Sequence, residues 1–227
     1  ASWFAQAQAI FQKLHDMSGI GQVLQYAGSI ADQQGDYQLA RDLYHESLSI
    51  RRGLGDKRSI GSLLSNLGIV ARRQGNLLLA QELYTESFEI RRDLGNAWEI
   101  GVTHTNLGNV LLDMGQYDDA RKHLEEALAL NRSLGAPWYI GNSLNNLGNA
   151  MREQEEFAAA SERYAESLRI FRKLGDNWAL AYLLEDIGWF VAQQGQGEAA
   201  LRLVGAAASL REEIGAPLTE GETNKLS

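Results

Sequence analysis

The chain has 227 residues, a formal net charge of −8 and no cysteine. The missing cysteines exclude disulfides, thiolate nucleophiles and cysteine-ligated zinc or iron–sulfur centres. Acidic charge spread along the chain without a basic stripe argues against direct DNA or RNA binding.

Only Pro137 and Pro217 interrupt a sequence rich in Ala, Leu, Glu, Gln and Arg, so an all-α class is expected. No apolar run reaches the roughly 18 to 20 residues needed to cross a bilayer. The N-terminus also lacks the basic-then-apolar pattern of a secretory signal. No membrane partner is expected, and the expected location is the cytoplasm.

The first segment, residues 1–19, reads as a single helix. Phe4, Ala7, Ile10 and Leu14 fall 40 residues before Tyr44, Ser47, Ile50 and Leu54, so it matches the second helix of a repeat whose first helix is missing. Together with Ala1 in place of Met, this predicts a chain trimmed from a longer parent. The apolar end it leaves could support self-association.

Residues 20–59 are the first full repeat, and 60–99, 100–139, 140–179 and 180–219 restate it at a shift of 40. A glycine column runs Gly28, Gly68, Gly108, Gly148 and Gly188, and an alanine column runs Ala40, Ala80, Ala120, Ala160 and Ala200. Apolar columns follow at Tyr44, Tyr84, Leu124, Tyr164, Val204 and at Ile50, Ile90, Leu130, Ile170, Leu210. In the repeat 60–99, Ile60, Leu63, Leu64, Leu67, Val70 and Ala71 make one helical stripe; Leu79, Leu83, Phe88, Ile90 and Leu94 make a second.

Gly75-Asn76 supplies the turn between the two stripes, and Gly95 ends the second helix, where a left-handed residue costs least. Each repeat is therefore a helical hairpin. Gly68 and Ala80, inside apolar stripes, predict a close approach of its two helices. One hairpin cannot bury both faces, so neighbours must stack.

In the repeat 140–179, Glu155 stands where the others have glycine, and this turn is expected to be strained or differently shaped, at a cost of about 1 kcal/mol. In the repeat 180–219, Gly195-Gln196-Gly197 reads as a hairpin turn, without the Lys-Ser/Thr ending of a phosphate-binding loop. From Leu218 the chain turns polar, and residues 220–227 are expected to form a frayed tail.

Asn106-Leu107-Gly108, Ala120 and Leu124 to Ala127 resemble the tetratricopeptide signature in a variant lengthened to 40 residues, over residues 20 to 219. The resemblance implies a right-handed superhelical solenoid of antiparallel helix pairs. Ala40 to Arg52 and Asn145-Asn146-Leu147-Gly148-Asn149 are similar to segments of bacterial multidomain signalling ATPases and transcriptional regulators, the STAND group. So is the final repeat, with Leu203 to Ala208 and Leu210 to Leu218. In that group a nucleotide-binding switch precedes a sensor array of repeats. The same long repeat occurs in kinesin light chains and cell-polarity adaptors, where an asparagine-rich inner face grips extended peptides.

In such an array the first helices line the concave side. One inner column reads Tyr26, Asn66, Asn106, Asn146, Asp186, and three residues later another reads Ser29, Ile69, Asn109, Asn149, Trp189. Spacing of three places both on one helical face. An asparagine amide both donates and accepts, as a peptide backbone requires. Arg72 and Arg152, a turn further on, could hold a carboxylate or phosphate. The candidate peptide-binding set is therefore Tyr26, Asn66, Arg72, Asn106, Asn109, Asn146, Asn149, Arg152 and Trp189. The competing reading is that the asparagines cap and bridge helices within the stack.

Trp98, Trp138 and Trp178 are expected to pack against the preceding repeat's last turn. The columns Arg52, Arg92, Arg132, Arg172 and Glu46, Glu86, Glu126, Glu166 are read as a solvated face, supported by the helix dipole and by nearby acids such as Glu89. His15, His45, His104 and His123 lack a second ligand at metal spacing, so neither metal nor cofactor is expected.

The expected role is not enzymatic. It is capture of a protein or peptide segment on the concave face, with another domain of the parent among the candidate partners. The alternatives are a small-molecule effector sensor of a STAND regulator and a self-assembling scaffold.

Overall fold

The computed structural model describes residues 3–215; the predicted tail, with Pro217 and Leu218, lies outside the described residues. Those residues form eleven α-helices and, among them, no strand. Six lie in a first compact unit, residues 1–116: α1 Trp3–Lys13, α2 Met17–Gln33, α3 Tyr37–Leu54, α4 Lys57–Arg73, α5 Leu77–Leu94 and α6 Ala97–Asp113. Five lie in a second, residues 117–227: α7 Tyr117–Ser133, α8 Pro137–Glu153, α9 Phe157–Leu174, α10 Asn177–Gln193 and α11 Gly197–Glu213. Within each unit, successive helices pack on one another.

The helix ends follow a period of 20, half the sequence repeat. Asp16, Asp36, Asp56, Asn76, Asn96 and Asp176 each accept, through the side chain, the backbone N–H three residues on, at 2.9–3.3 Å. Each bond satisfies an otherwise orphaned helix donor, worth about 1 kcal/mol. Among the described residues a left-handed residue stands at every interhelix turn and after α11, whether or not a side-chain cap follows it. It is glycine at nine positions, but His15 (φ 52°) and Glu155 (φ 60°) take the same conformation with a side chain. The strain expected at Glu155 is therefore present, and His15 shares it.

Inside each hairpin, the glycine column admits an aromatic ring. A Cβ added at Gly28, Gly68 or Gly148 would lie 2.6–2.7 Å from Cε1 of Tyr44, Tyr84 or Tyr164. The two helices meet through a tyrosine laid on bare backbone. The tyrosine is absent from two repeats, where Leu124 and Val204 stand in its column, and Val204 leaves Gly188 a looser 3.0 Å gap. A second seam is polar. Ser47, Ser87 and Ser167, all fully buried, donate to the carbonyls of Gly21, Gly61 and Gly141 at 2.7–2.8 Å.

The second stripe differs from the expectation. Leu79 and Leu94 are exposed, while the buried face of α5 is Ala80, Tyr84, Ser87 and Arg91. The guanidinium of Arg91 donates to Thr103 on α6 at 2.6 Å, and Arg51 donates to Ser18 on α2 at 3.0 Å. These arginines tie neighbouring helices through buried polar contacts that hydrophobic periodicity cannot reveal.

Two of the tryptophans make contacts beyond those expected of them. Trp138 reaches forward, donating to Asp176 at 2.8 Å and meeting Phe171 edge-on, and Trp178 lies against Tyr182. Trp98 and Trp178 remain nearly half exposed. The exposed arginine column does find acids: Arg92 pairs with Glu89 on its own helix, but Arg52 and Arg132 reach Glu86 and Glu166 on the next second helix, both at 2.7 Å.

Candidate functional site

In the first unit the candidate residues lie on α2, α4 and α6. Ion pairs near the C-terminal ends of these first helices join them: Arg73 on α4 donates to Asp32 on α2 at 2.6 Å, and Arg72 on α4 donates to Asp113 on α6 at 2.5 Å. The guanidinium of Arg72, expected to await a ligand anion, thus already carries a carboxylate of the chain. Tyr26 on α2 is exposed, with its hydroxyl 3.4 Å from the Gln22 amide.

Asn66 on α4 and Asn106 and Asn109 on α6 are half-buried, and their amides make no hydrogen bond among the described residues. In this unit the asparagines do not bridge neighbouring helices. Each presents a donor and an acceptor, the pair a peptide group requires.

In the second unit the asparagines behave differently. Asn146 on α8 is half-buried and makes a long contact, 3.4 Å, to Asn142 one turn back. Asn149 faces inward: it accepts from the Tyr164 hydroxyl at 2.7 Å and donates to Asp186 on α10 at 3.1 Å. Asn145, buried and outside the candidate set, donates to the same Asp186 oxygen at 2.6 Å. The bridging reading therefore describes Asn149, whereas the free-amide reading describes Asn66, Asn106 and Asn109. Arg152 is held by Glu153 through two bonds, at 2.7 and 3.0 Å, with Asn149 3.5 Å away. Trp189, on α10, is nearly half exposed.

Burial sets the electrostatics around Asp186. It pushes the carboxyl above its usual range, and the amides of Asn145 and Asn149 only partly oppose it. Burial likewise pushes the Tyr164 hydroxyl far up, so it stays protonated and donates. Next to Asp186, Glu185 is gripped by both nitrogens of Arg211 at 2.6 and 2.9 Å, with that guanidinium 4.2 Å above the Tyr182 ring.

Sequence reasoning missed Asn145, Arg91 and Arg211. For Arg91 and Arg211 the signal is a 40-residue column rather than a periodic stripe: Arg51, Arg91, Asn131, Phe171 and Arg211 all occupy one buried position.

Among the described residues, no group of three or more His, Asp or Glu side chains could hold a metal ion, and no helix is long and apolar enough to cross a membrane.

Known proteins share this construction. The tetratricopeptide repeat model matches residues 19–93 and 99–173, more than half of the chain. No curated protein sequence is significantly similar. Several solved structures share the fold at low identity. BtubC (BKLC) from P. vanneervenii is 18% identical, with a TM-score of 0.75 over 96% of this chain and 90% of its own. The TPR-like repeats of a Podosopora anserina protein classed as a kinesin light chain are 16% identical, with a TM-score of 0.65 over 85% of this chain and 95% of theirs. A Rap protein complexed with competence and sporulation factor is 16% identical, with a TM-score of 0.70 over 88% of this chain and 59% of its own length. At these identities the structures speak for the fold, and the family match speaks for kinship: the chain belongs to the tetratricopeptide repeat family.

Proposed function

We propose that the chain is a protein-binding module that takes an extended peptide segment along the face of its first helices. The observation that carries this reading is the set of open amides at Asn66, Asn106 and Asn109, half-buried and bonded to none of the described residues. These amides are not sealed from water, so a peptide backbone that meets several of them along two neighbouring columns can replace their water bonds with its own donor and acceptor pairs. The similar fold of a Rap protein complexed with competence and sporulation factor supports a binding role. The reading assigns the chain no reaction of its own.

Selection of a displayed random decapeptide library on the purified chain tests it. Peptides enriched on the wild-type chain should lose affinity when Asn66→Ala and Asn106→Ala are combined, with helical circular dichroism and melting temperature unchanged. Undiminished affinity in that double variant would remove the face from the binding role.

A further inference from the structure

We infer that Asp186 and Trp189 on α10 form a subsite for a basic side chain, lysine or arginine, of a peptide that lies on the first helices of the second unit, α8 and α10. The inference rests on the binding reading above and adds the chemistry of one peptide position.

The argument begins with local charge. Beside Asp186, Arg152 is closed on Glu153 by two hydrogen bonds, and Glu185 is closed on Arg211 by two more. The charge of Arg152 still reaches Asp186, opposed by that of Glu185, but neither pair gives Asp186 a hydrogen-bonded cation among the described residues. What holds it is neutral: the amides of Asn145 and Asn149 converge on Oδ2 at 2.6 and 3.1 Å. Two amides orient an anion without neutralising it.

The other oxygen, Oδ1, receives no hydrogen bond from the described residues and is not sealed from solvent. The carboxylate is thus fixed by one oxygen, and the other has no hydrogen bond from the described residues.

Trp189 lies three residues on, one turn along the same face, and is 48% exposed. An exposed aromatic ring one helical turn from a carboxylate that has no bonded cation suits a cationic side chain: the ring takes the aliphatic stem or the guanidinium plane, and the carboxylate takes the N–H donors. The net charge of −8 favours encounter with basic segments and opposes acidic ones. A peptide carboxylate at this position would meet Asp186 at close range and be rejected.

The test uses the intact chain and Asp186→Asn, which keeps an oxygen for the two amides while removing the charge. Decapeptides selected on the wild-type chain should carry lysine or arginine at one fixed position. Replacing that residue by norleucine in a synthetic peptide should weaken Kd at least about tenfold on the wild-type chain and by less than about twofold on Asp186→Asn. Trp189→Ala, at an exposed position, should weaken the basic peptide as well; unchanged affinity would remove the ring from the subsite. Enriched peptides without a basic residue, or an equal loss on both chains, would overturn the subsite and leave the binding reading standing. No enrichment on a chain folded by circular dichroism would overturn both.

Discussion

The ring of Tyr84 occupies the space that a side chain at Gly68 would need, with its Cε1 2.6 Å from the position of a Cβ. The ring is fully buried and wedged between α4 and α5, so it cannot swing clear. Gly68→Ala is expected to lower stability by about 1–3 kcal/mol through overpacking, despite the better helix propensity of alanine. Gly53→Ala is the control: it also lies within a helix, α3, but its Cβ would meet nothing within 4 Å. It should raise stability by about 0.5–1 kcal/mol. Urea denaturation of both variants, followed by circular dichroism, checks the opposite signs.

Glu155 holds φ at 60° in a turn where Gly35, Gly75, Gly115 and Gly195 take the same conformation without a Cβ. A left-handed residue with a side chain costs about 1–2 kcal/mol. Glu155→Gly should therefore raise the melting temperature, offset in part by the greater freedom of glycine in the unfolded chain. A scan showing a lower melting temperature would mean that the glutamate side chain makes a compensating contact.

Much of the fold was legible because its determinants are local and recur. Gly68 and its counterparts, the turn glycines and the first-helix stripe around Leu63 and Leu67 each need one residue type at one spacing. The second-helix stripe was read less well: Leu79 and Leu94 carry the right hydrophobicity but face outward, while Ser87 and Arg91 sit inside. Their burial depends on partners 26 residues back in Gly61 and 12 residues ahead in Thr103, which no local pattern contains. The candidate site divides for the same reason. Asn109 and Asn149 occupy one column, yet only Asn149 faces a tyrosine hydroxyl and an aspartate, because Tyr164 stands where the repeat of Asn109 has Leu124, and Asp186 departs from its asparagine column.

Arg91 is buried, donates to Thr103 at 2.6 Å, and has its Nε 3.8 Å from Glu99 Oε2. Desolvation lowers its pKa, and only the Glu99 carboxylate counters this. Arg91→Met should cost about 3–5 kcal/mol, since it strands a buried carboxylate. Arg91→Met with Glu99→Met should recover most of that loss, because a buried ion pair and a well-packed apolar pair are close in free energy. A double-mutant cycle in urea measures the coupling; additive losses would show that the two residues act separately.

Asp186 gives a pH dependence of definite sign. Its folded pKa is raised above the ordinary 3.8 by burial, so the folded chain binds the proton more tightly than the unfolded chain does. For a carboxyl so shifted, stability falls as pH rises from the unfolded pKa through the folded one and is level above it. Asp186→Asn removes that loss while its amide oxygen can still accept from Asn145 and Asn149. The variant should therefore melt higher than the wild-type chain at pH 7.5, and the gap should shrink as pH falls toward 4, where the wild-type carboxyl regains its proton. Differential scanning calorimetry across this range reads the difference directly. A gap that is constant with pH would show that Asp186 titrates alike in the folded and unfolded chains, and a lower melting temperature for the variant at pH 7.5 would show that the charged form is stabilised in the fold rather than strained by it.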